Sequence, residues 1–576
     1  MPGFLGIITR NNQLLEKETE LDFYKFHKFV SVRKNRYENF LLYTFTNGKF
    51  SNDKVFFQNE NYIIYLDGVI LNLKNLKRNF AITKNVDLIL YLYKKYGDEF
   101  YKLFRGEFCG IFYDKETNKY IVFTNHTGTK RVFYYHQKDT IIISSDLKFI
   151  IQVFKENKIS YNLDRLGAYF ILTYGFMLEE FTIITEIKKL KPGHYIKFEN
   201  FEFERLSYHR FEIAEQISDS KDEIIHNLND IFIDALKLEY DKDLEYGYKH
   251  IATLSAGLDS RMNVMLAHQF GYTDKLLITF SQSGYFDDVI PKAIARDLNE
   301  NLFFLALDSA RFLQNVEDNV WLNDGLVLYS GSSHYYDMTR KLNFDDLGLL
   351  HTGMLGDAVL GSYCSKPELV KPGIEHKLYS NRLIAKILND IKYIENIYQT
   401  EEILLLYNRG FNGINNSYWI NEFFTYQTSP FLGVEFLEYS VSIPPKHKFK
   451  QQIYIDWILS RHPDVARYIW ENRICKLTDS KMQAILRKSF YRAKNQFTKI
   501  FDNSKWVPMN MNPFDFWYET KPTLKNYIDS YFHDHIDLLD IDAELKKDTI
   551  DLFENGTFGE KTQAITLIES IKRFFN

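Results

Sequence analysis

The stretch 251–261 (IATLSAGLDSR) restricts the fold of this chain more than any other. A short apolar run passes directly into Ser-Ala-Gly-Leu-Asp-Ser, and a helical pattern follows at 262–270. A strand, a small-residue turn and a helix are how a parallel α/β sheet presents a ligand loop at the carboxyl end of a strand. Such a loop offers backbone N–H groups and the helix dipole, about half a positive charge, to an anion. Small residues at 255–257 let a polyanion approach the backbone, and the hydroxyls of Ser255 and Ser260 can donate to it. An acidic residue in that loop repels the anion unless a cation intervenes, which makes Asp259 a natural Mg²⁺ ligand. An ordinary strand-to-helix turn capped by Ser255 is the bland alternative.

A second stretch, 349–357 (LLHTGMLGD), is another apolar strand ending in Gly353, Gly356 and Asp357, with LGSY at 360–363. Together the wholly apolar runs 250–254, 276–280, 302–306 and 347–352, with helical pattern between the first three, predict a parallel sheet covered on both faces. Two acidic, glycine-flanked strand ends in one sheet can converge on one metal-bound polyphosphate, and Asp259 and Asp357 are the expected metal pair. The first 200 residues or so read differently. Alternating or apolar runs at 4–9, 40–45, 62–66, 108–113, 120–124 and 140–144, with a helix at 86–96, predict an antiparallel α+β domain. A helical stretch at 163–172 and a strand pair around 193–198 close it, and beyond 375 the chain reads as mostly helical.

Composition narrows the function classes. A length of 576 residues gives room for two to four domains, and 45% hydrophobic with 26% charged residues excludes a largely disordered chain. Lys+Arg minus Asp+Glu is 71 − 76 = −5, so no nucleic-acid partner is expected. Cys109, Cys364 and Cys475 lie far apart without CxxC spacing, which speaks against a disulfide framework or zinc site and for a reducing, cytoplasmic setting. No apolar run is long enough to cross a membrane, and the amino end lacks the basic start and apolar length of a signal peptide.

With these residues in view the chain resembles the asparagine synthetase family, with its relatives β-lactam synthetase and the lasso-peptide cyclases. The family's Ser-Gly-Gly-x-Asp-Ser pyrophosphate loop is matched by Ser255-Ala256-Gly257-Leu258-Asp259-Ser260, and its Ser-Gly-x-Gly-x-Asp segment by Thr352-Gly353-Met354-Leu355-Gly356-Asp357. Gly361-Ser362-Tyr363 resembles the Gly-Gly-Tyr tail, residues 187–194 the interdomain linker, and 429–432 and 442–444 the helical carboxyl-terminal segments. The resemblance implies an N-terminal-nucleophile-type, glutaminase-like α+β sandwich over 1–210. It implies an α/β ATP-pyrophosphatase domain with a parallel sheet and a helical carboxyl-terminal part over 211–576. It further implies ATP and Mg²⁺ as cofactors. Leu254, Ser255, Ala256, Gly257, Asp259, Ser260, Phe280, Ser281, Thr352 and Gly353 would contact the nucleotide, and Asp259 and Asp357 the metal. Arg261, Lys476 and Asp288 are the candidate catalytic residues, the first two for phosphate charge and Asp288, or Glu435, for deprotonating the nucleophile.

The sequence departs from the family where glutamine would be hydrolysed. The family needs a cysteine directly after the initiator methionine, and here Pro2 stands there. The Asn-Gly-Glu segment is Asp67-Gly68-Val69, Ser-Asp-x-Glu falls at Lys84-Asn85-Val86-Asp87, and 40–45 holds no arginine. An inactive glutaminase is expected. Met354 stands where asparagine synthetases carry Glu and β-lactam synthetase Tyr, so asparagine is not the expected product. The expected activity is an ATP-dependent, AMP-forming carbon–nitrogen ligase that adenylates a small-molecule, sugar or peptide carboxylate and passes it to an amine or ammonia. The alternative is a nucleotide-binding pseudoenzyme acting as an assembly or regulatory partner. His533 and His535, at i and i+2, read as solvated surface rather than a metal site. Residues 481–499 (KMQAILRKSFYRAKNQFTK) carry six basic residues and no acid, with Met482, Leu486, Phe490, Ala493 and Phe497 at helical spacing. Packing on the core by that stripe is the first expectation, and peripheral contact with an anionic partner, a lipid-linked substrate or a membrane the second. A homodimer is compatible with everything above.

Overall fold

The computed structural model describes residues 3–17, 19–21, 23, 31–501 and 507–576; Pro2 lies outside them. Two six-stranded antiparallel sheets occupy the amino-terminal part. One runs in the order Lys188–Lys189, Phe133–Gln137, Thr140–Ser144, Gly3–Ile8, Phe40–Thr46, Ser31–Arg36. The other runs Glu202–Ser207, His194–Glu199, Lys119–Thr124, Gly106–Asp114, Tyr62–Ile70, Val55–Gln58. Side chains alternate along a strand, and this fixes the layers. Phe4 and Ile8 pack between the sheets with Phe40, Ile63, Cys109 and Val122. Leu5 and Ile7 face the other way, in one cluster with Phe149, Ile150 and Phe154 of the helix Leu147–Asn157. On the far side Ile64, Leu66 and Phe112 meet Leu73 and Leu76 of one helix and Leu88 and Leu92 of the next. The result is helix, sheet, sheet, helix. Burial on both faces explains why GFLGII shows no polar alternation.

The third sheet is parallel throughout, in the order Asn301–Ala306, Leu276–Ser281, Lys249–Thr253, Leu347–His351, Gln427–Thr428. Ile251, Leu277 and Leu350 are fully buried, as strands covered on both faces require. Helix Lys221–Tyr246 carries a Ser220/Glu223 capping box and holds two of these strands by one carboxylate. Asp243 accepts from the Leu349 amide at 2.8 Å, from His250 Nδ1 at 2.9 Å and from His351 Nε2 at 2.8 Å. Among the described residues five strands escape sequence reading: Ser31–Arg36, Val55–Gln58, Phe133–Gln137 and the two-residue Lys188–Lys189 and Gln427–Thr428. Ser31–Arg36 (SVRKNR) is a largely exposed edge with almost no apolar pattern to reveal it. No helix among the described residues is long and apolar enough to cross a membrane.

The sandwich is joined to the rest of the chain by buried ion pairs. Lys130 lies between Asp67 (2.9 Å) and Glu422 (3.0 Å), with Tyr426 donating to Asp67. Asp324 takes Arg131 (3.1 Å) and Lys148 (3.1 Å), and Lys242 pairs with Asp53 at 3.0 Å. Lys130–Asp67 lies within the sandwich; every other pair joins a sandwich residue to one beyond residue 240.

Candidate functional site

The strand Lys249–Thr253 ends at the buried Leu254, and the chain turns through Ser255, Ala256 and Gly257 into the helix Leu258–Gln269. The turn is tied internally. The Ser255 amide donates to Ser260 Oγ (2.8 Å), the two serine hydroxyls are 2.9 Å apart, and the Gly257 amide donates to Ser255 Oγ (3.1 Å). The Ala256 amide donates to Asp287 Oδ1 at 2.8 Å. No side chain caps the helix, whose N-cap is Gly257, so its amino end stays available to an anion.

The second loop seats directly on the first. The Asp357 amide donates to Asp259 Oδ2 at 3.0 Å, while Asp259 Oδ1 is buried without a partner. Two glycines make the contact feasible: a Cβ on Gly353 would lie 2.5 Å from the Asp259 backbone, and one on Gly356 2.7 Å from its carboxyl carbon. Burial first, and then the neighbouring Asp357 charge, push the Asp259 carboxyl well above the ordinary carboxylate range. Burial likewise raises Asp357. Two crowded acids, one with an unpaired oxygen, fit a divalent cation, which removes the repulsion and supplies the missing partner.

A cleft of about 480 Å³ opens over this junction. Of the expected residues, Leu254, Ser255, Gly257, Asp259, Ser260, Phe280 and Gly353 line it. Ala256, Ser281, Thr352 and Asp357 stand behind the lining: Thr352 Oγ1 donates to the Thr428 carbonyl and Ser281 Oγ to the Gln282 carbonyl. Its other wall is aromatic, formed by Phe280, His334, Tyr335 and Tyr418. His334 Nδ1 has no partner, and burial lowers its pKa to about 3, so the ring is neutral.

The structure redistributes the candidate catalytic residues. Arg261 is fully buried, and its guanidinium donates to the carbonyls of Ala256, Tyr468 and Ile469, which makes it a brace behind the loop rather than a phosphate contact. Asp288 accepts from the Gly284 amide at 2.8 Å and pairs with Lys292, which ties the turn before the helix Phe286–Leu298 to its first turn and leaves Asp288 outside the cleft lining. Lys476 does not border the cleft; its amide donates to Asp479. Glu435 lies at a separate cavity beside the sandwich, paired with Arg105 at 2.7 Å. Besides Asp259, the acids that line the cleft are Asp287 and Glu471, each with an unpartnered oxygen. Sequence reading reached Asp288, one residue away, and had no signal for Glu471, which lies far along the chain.

Burial and then the Asp287 charge push Glu471 up to about 8. A carboxyl that holds its proton in the folded state above its ordinary pKa of 4.5 costs stability as pH rises from there through about 8. Glu107, raised to about 8 by burial at the other cavity, acts in the same direction. Urea unfolding on either side of this window should therefore show wild type losing on the order of a few kcal/mol toward alkaline pH. Glu471→Gln/Glu107→Gln should flatten the slope; an unchanged slope would contradict the two assignments.

The chain is similar to known proteins over part of its length. Residues 50–209 match the family model described as a glutamine amidotransferase domain. A Methanocaldococcus jannaschii protein provisionally named asparagine synthetase 2 (glutamine-hydrolyzing) is 26% identical over 380 residues, 62% of this chain and 71% of that one. Asparagine synthetase 1 (glutamine-hydrolyzing) of Bacillus subtilis is 21% identical, covering 46% of this chain and 42% of that one. Amidase chry2 of Gibberella zeae is 21% identical, covering 42% and 38%. The chain thus spans under half the length of the latter two. A mixed α/β chain with an amidotransferase-type domain and a parallel sheet is the class these features define. Within that class the chain is similar to asparagine synthetases, over 62% of its length in the first of these relatives.

Proposed function

We propose that this protein is an ATP-dependent ligase that adenylates a carboxylate, releases pyrophosphate, and transfers the acyl group to an amine or ammonia. The observation that carries the reading is the junction of Asp259 with the 352–357 loop: two crowded acids, with one buried, unpaired oxygen on Asp259, at an uncapped helix start beside a cleft. Asp259 and Asp357 would hold Mg²⁺, which neutralises charge on the β- and γ-phosphates and on departing pyrophosphate. Ser255, Gly257 and Ser260 line the side where phosphate oxygens would lie, and the aromatic wall suits a purine face. Met354 is buried in the same lining and offers no base. Glu471, whose carboxyl is raised to about 8, would take a proton from an incoming ammonium group once it is ionised, toward alkaline pH.

Hydroxylamine trapping tests this. Enzyme, MgATP, a carboxylate panel and hydroxylamine should yield a hydroxamate with AMP and pyrophosphate in equal amounts; ADP with phosphate would overturn the reading. Glu471→Gln should lower turnover with an amine donor about 10²- to 10⁴-fold, the usual contribution of a positioned acid–base group.

The reading includes a silent glutaminase. Asp67, in the segment aligned with glutamine binding, is held by Lys130, Lys54 and Tyr426. All three cysteines have raised thiol pKa values: Cys109 is fully buried, Cys364 is pushed up to about 12 by burial, and Cys475 is raised too. None is poised as a thiolate nucleophile. Purified protein should release no glutamate from glutamine, with or without ATP, and measurable release would refute this part.

A further inference from the structure

Over Met482–Phe490 the helix Lys481–Phe501 does not use its apolar stripe to pack on the protein; the side chain of Phe497 lies outside the described residues. Its half-buried residues, Ala484, Arg487, Lys488, Tyr491 and Asn495, form the opposite face. Tyr491 meets Phe286 at 5.2 Å between ring centroids, and Arg487 pairs with Asp479 at 2.9 Å. The stripe points to solvent. Met482 is 73% exposed, Ile485 64%, Leu486 63% and Phe490 64%, the four highest values among the exposed large hydrophobics. Val289, Val507 and Met509, also exposed, line a cleft that Tyr491 and Asn495 border. The expectation of core packing is thereby corrected: Tyr491, not the Met482–Leu486–Phe490 row, makes the contact.

Charge sets the helix apart as well. The six basic residues of 481–499 stand in a chain of formal net charge −5, so the remainder carries −11. Lys481 and Arg492 are exposed beside the apolar row. A solvent-facing apolar stripe flanked by cations, on a helix anchored to the body by its opposite side, has the geometry that inserts into the headgroup boundary of an anionic bilayer. An acidic protein groove would complement the cations but has no need of four bulky apolar side chains left bare in a row.

We propose that this helix is a peripheral docking surface for an anionic lipid bilayer. Full-length protein should co-sediment with phosphatidylcholine vesicles carrying about one-third phosphatidylglycerol, weakly or not at all with pure phosphatidylcholine, and less as salt is raised. Leu486→Glu/Phe490→Glu and Lys481→Glu/Arg492→Glu alter exposed side chains, so their melting curves should match wild type. Each should weaken partitioning, the charge pair by at least about thirtyfold, the effect of losing two basic residues at such a surface before the repulsion of the two added carboxylates. Failure of wild type to bind anionic vesicles, or equal binding by both variants, would overturn the proposal. So would a dimer in light scattering that Leu486→Glu/Phe490→Glu splits while vesicle binding is absent, since the face would then belong to a second copy. Hydroxamate trapping does not depend on vesicles, so loss of docking and loss of ligase activity are read separately.

Discussion

Asp259→Asn should stabilise the protein without nucleotide while abolishing its Mg²⁺-dependent stabilisation by ATP. The two effects have opposite signs and one cause. Without a cation, Asp259 is buried against Asp357 with one oxygen unpaired, and its carboxyl resists ionisation. An amide keeps the bond from the Asp357 N–H and removes the repulsion, so the melting midpoint without ligand should rise. The same change removes a metal ligand. Wild type with MgATP at about a hundred times its dissociation constant gains close to 3 kcal/mol, and the variant gains nothing. Thermal melts of both proteins, with and without MgATP, read both effects. A variant that loses stability without ligand, or that still gains with MgATP, contradicts the assignment.

The second large effect lies at the junction of sandwich and parallel-sheet region. Lys130 is fully buried between Asp67 and Glu422. Lys130→Met leaves Glu422 without its cation and Asp67 with Lys54 alone, 3.5 Å away, and breaking a buried pair in this way costs about 3–5 kcal/mol. Removing the stranded charge as well, as Lys130→Met/Glu422→Gln, leaves Lys54 and Asp67 as a matched pair and should recover most of that, because the uncompensated charge rather than the lost attraction is what destabilises. Urea midpoints measure it. A loss below about 1 kcal/mol in the single variant would mean that water reaches the cluster, as it does for exposed pairs.

Much of this was legible in the sequence because the signals were local. Ser255 through Ser260 forms a strand–turn–helix unit whose residue types state their own geometry, and the apolar runs 250–254 and 276–280 admit little but buried parallel strands. Asp259 and Asp357, 98 positions apart, were paired by the rule that ligands gather beyond carboxyl strand ends, and the structure joins their loops by one hydrogen bond. Non-local signals did not carry. Arg261 looked available to phosphate, yet three carbonyls, two of them some 200 positions away, surround its guanidinium. Glu471 reaches the cleft only through tertiary folding, and between Asp287 and Asp288 only the helix start decides which acid faces inward. In the 481–499 helix, periodicity revealed the stripe but not which side of it faces the protein. Tyr491, half-buried against Phe286, settles that.

Calorimetric titration of wild-type protein with a non-hydrolysable ATP analogue, with and without Mg²⁺, tests the central claim most directly. The adenylation-site reading predicts saturable one-site binding that requires Mg²⁺ and disappears in Asp259→Ala. Absence of binding by wild type at millimolar analogue, or binding indifferent to Mg²⁺ and to Asp259, would contradict it.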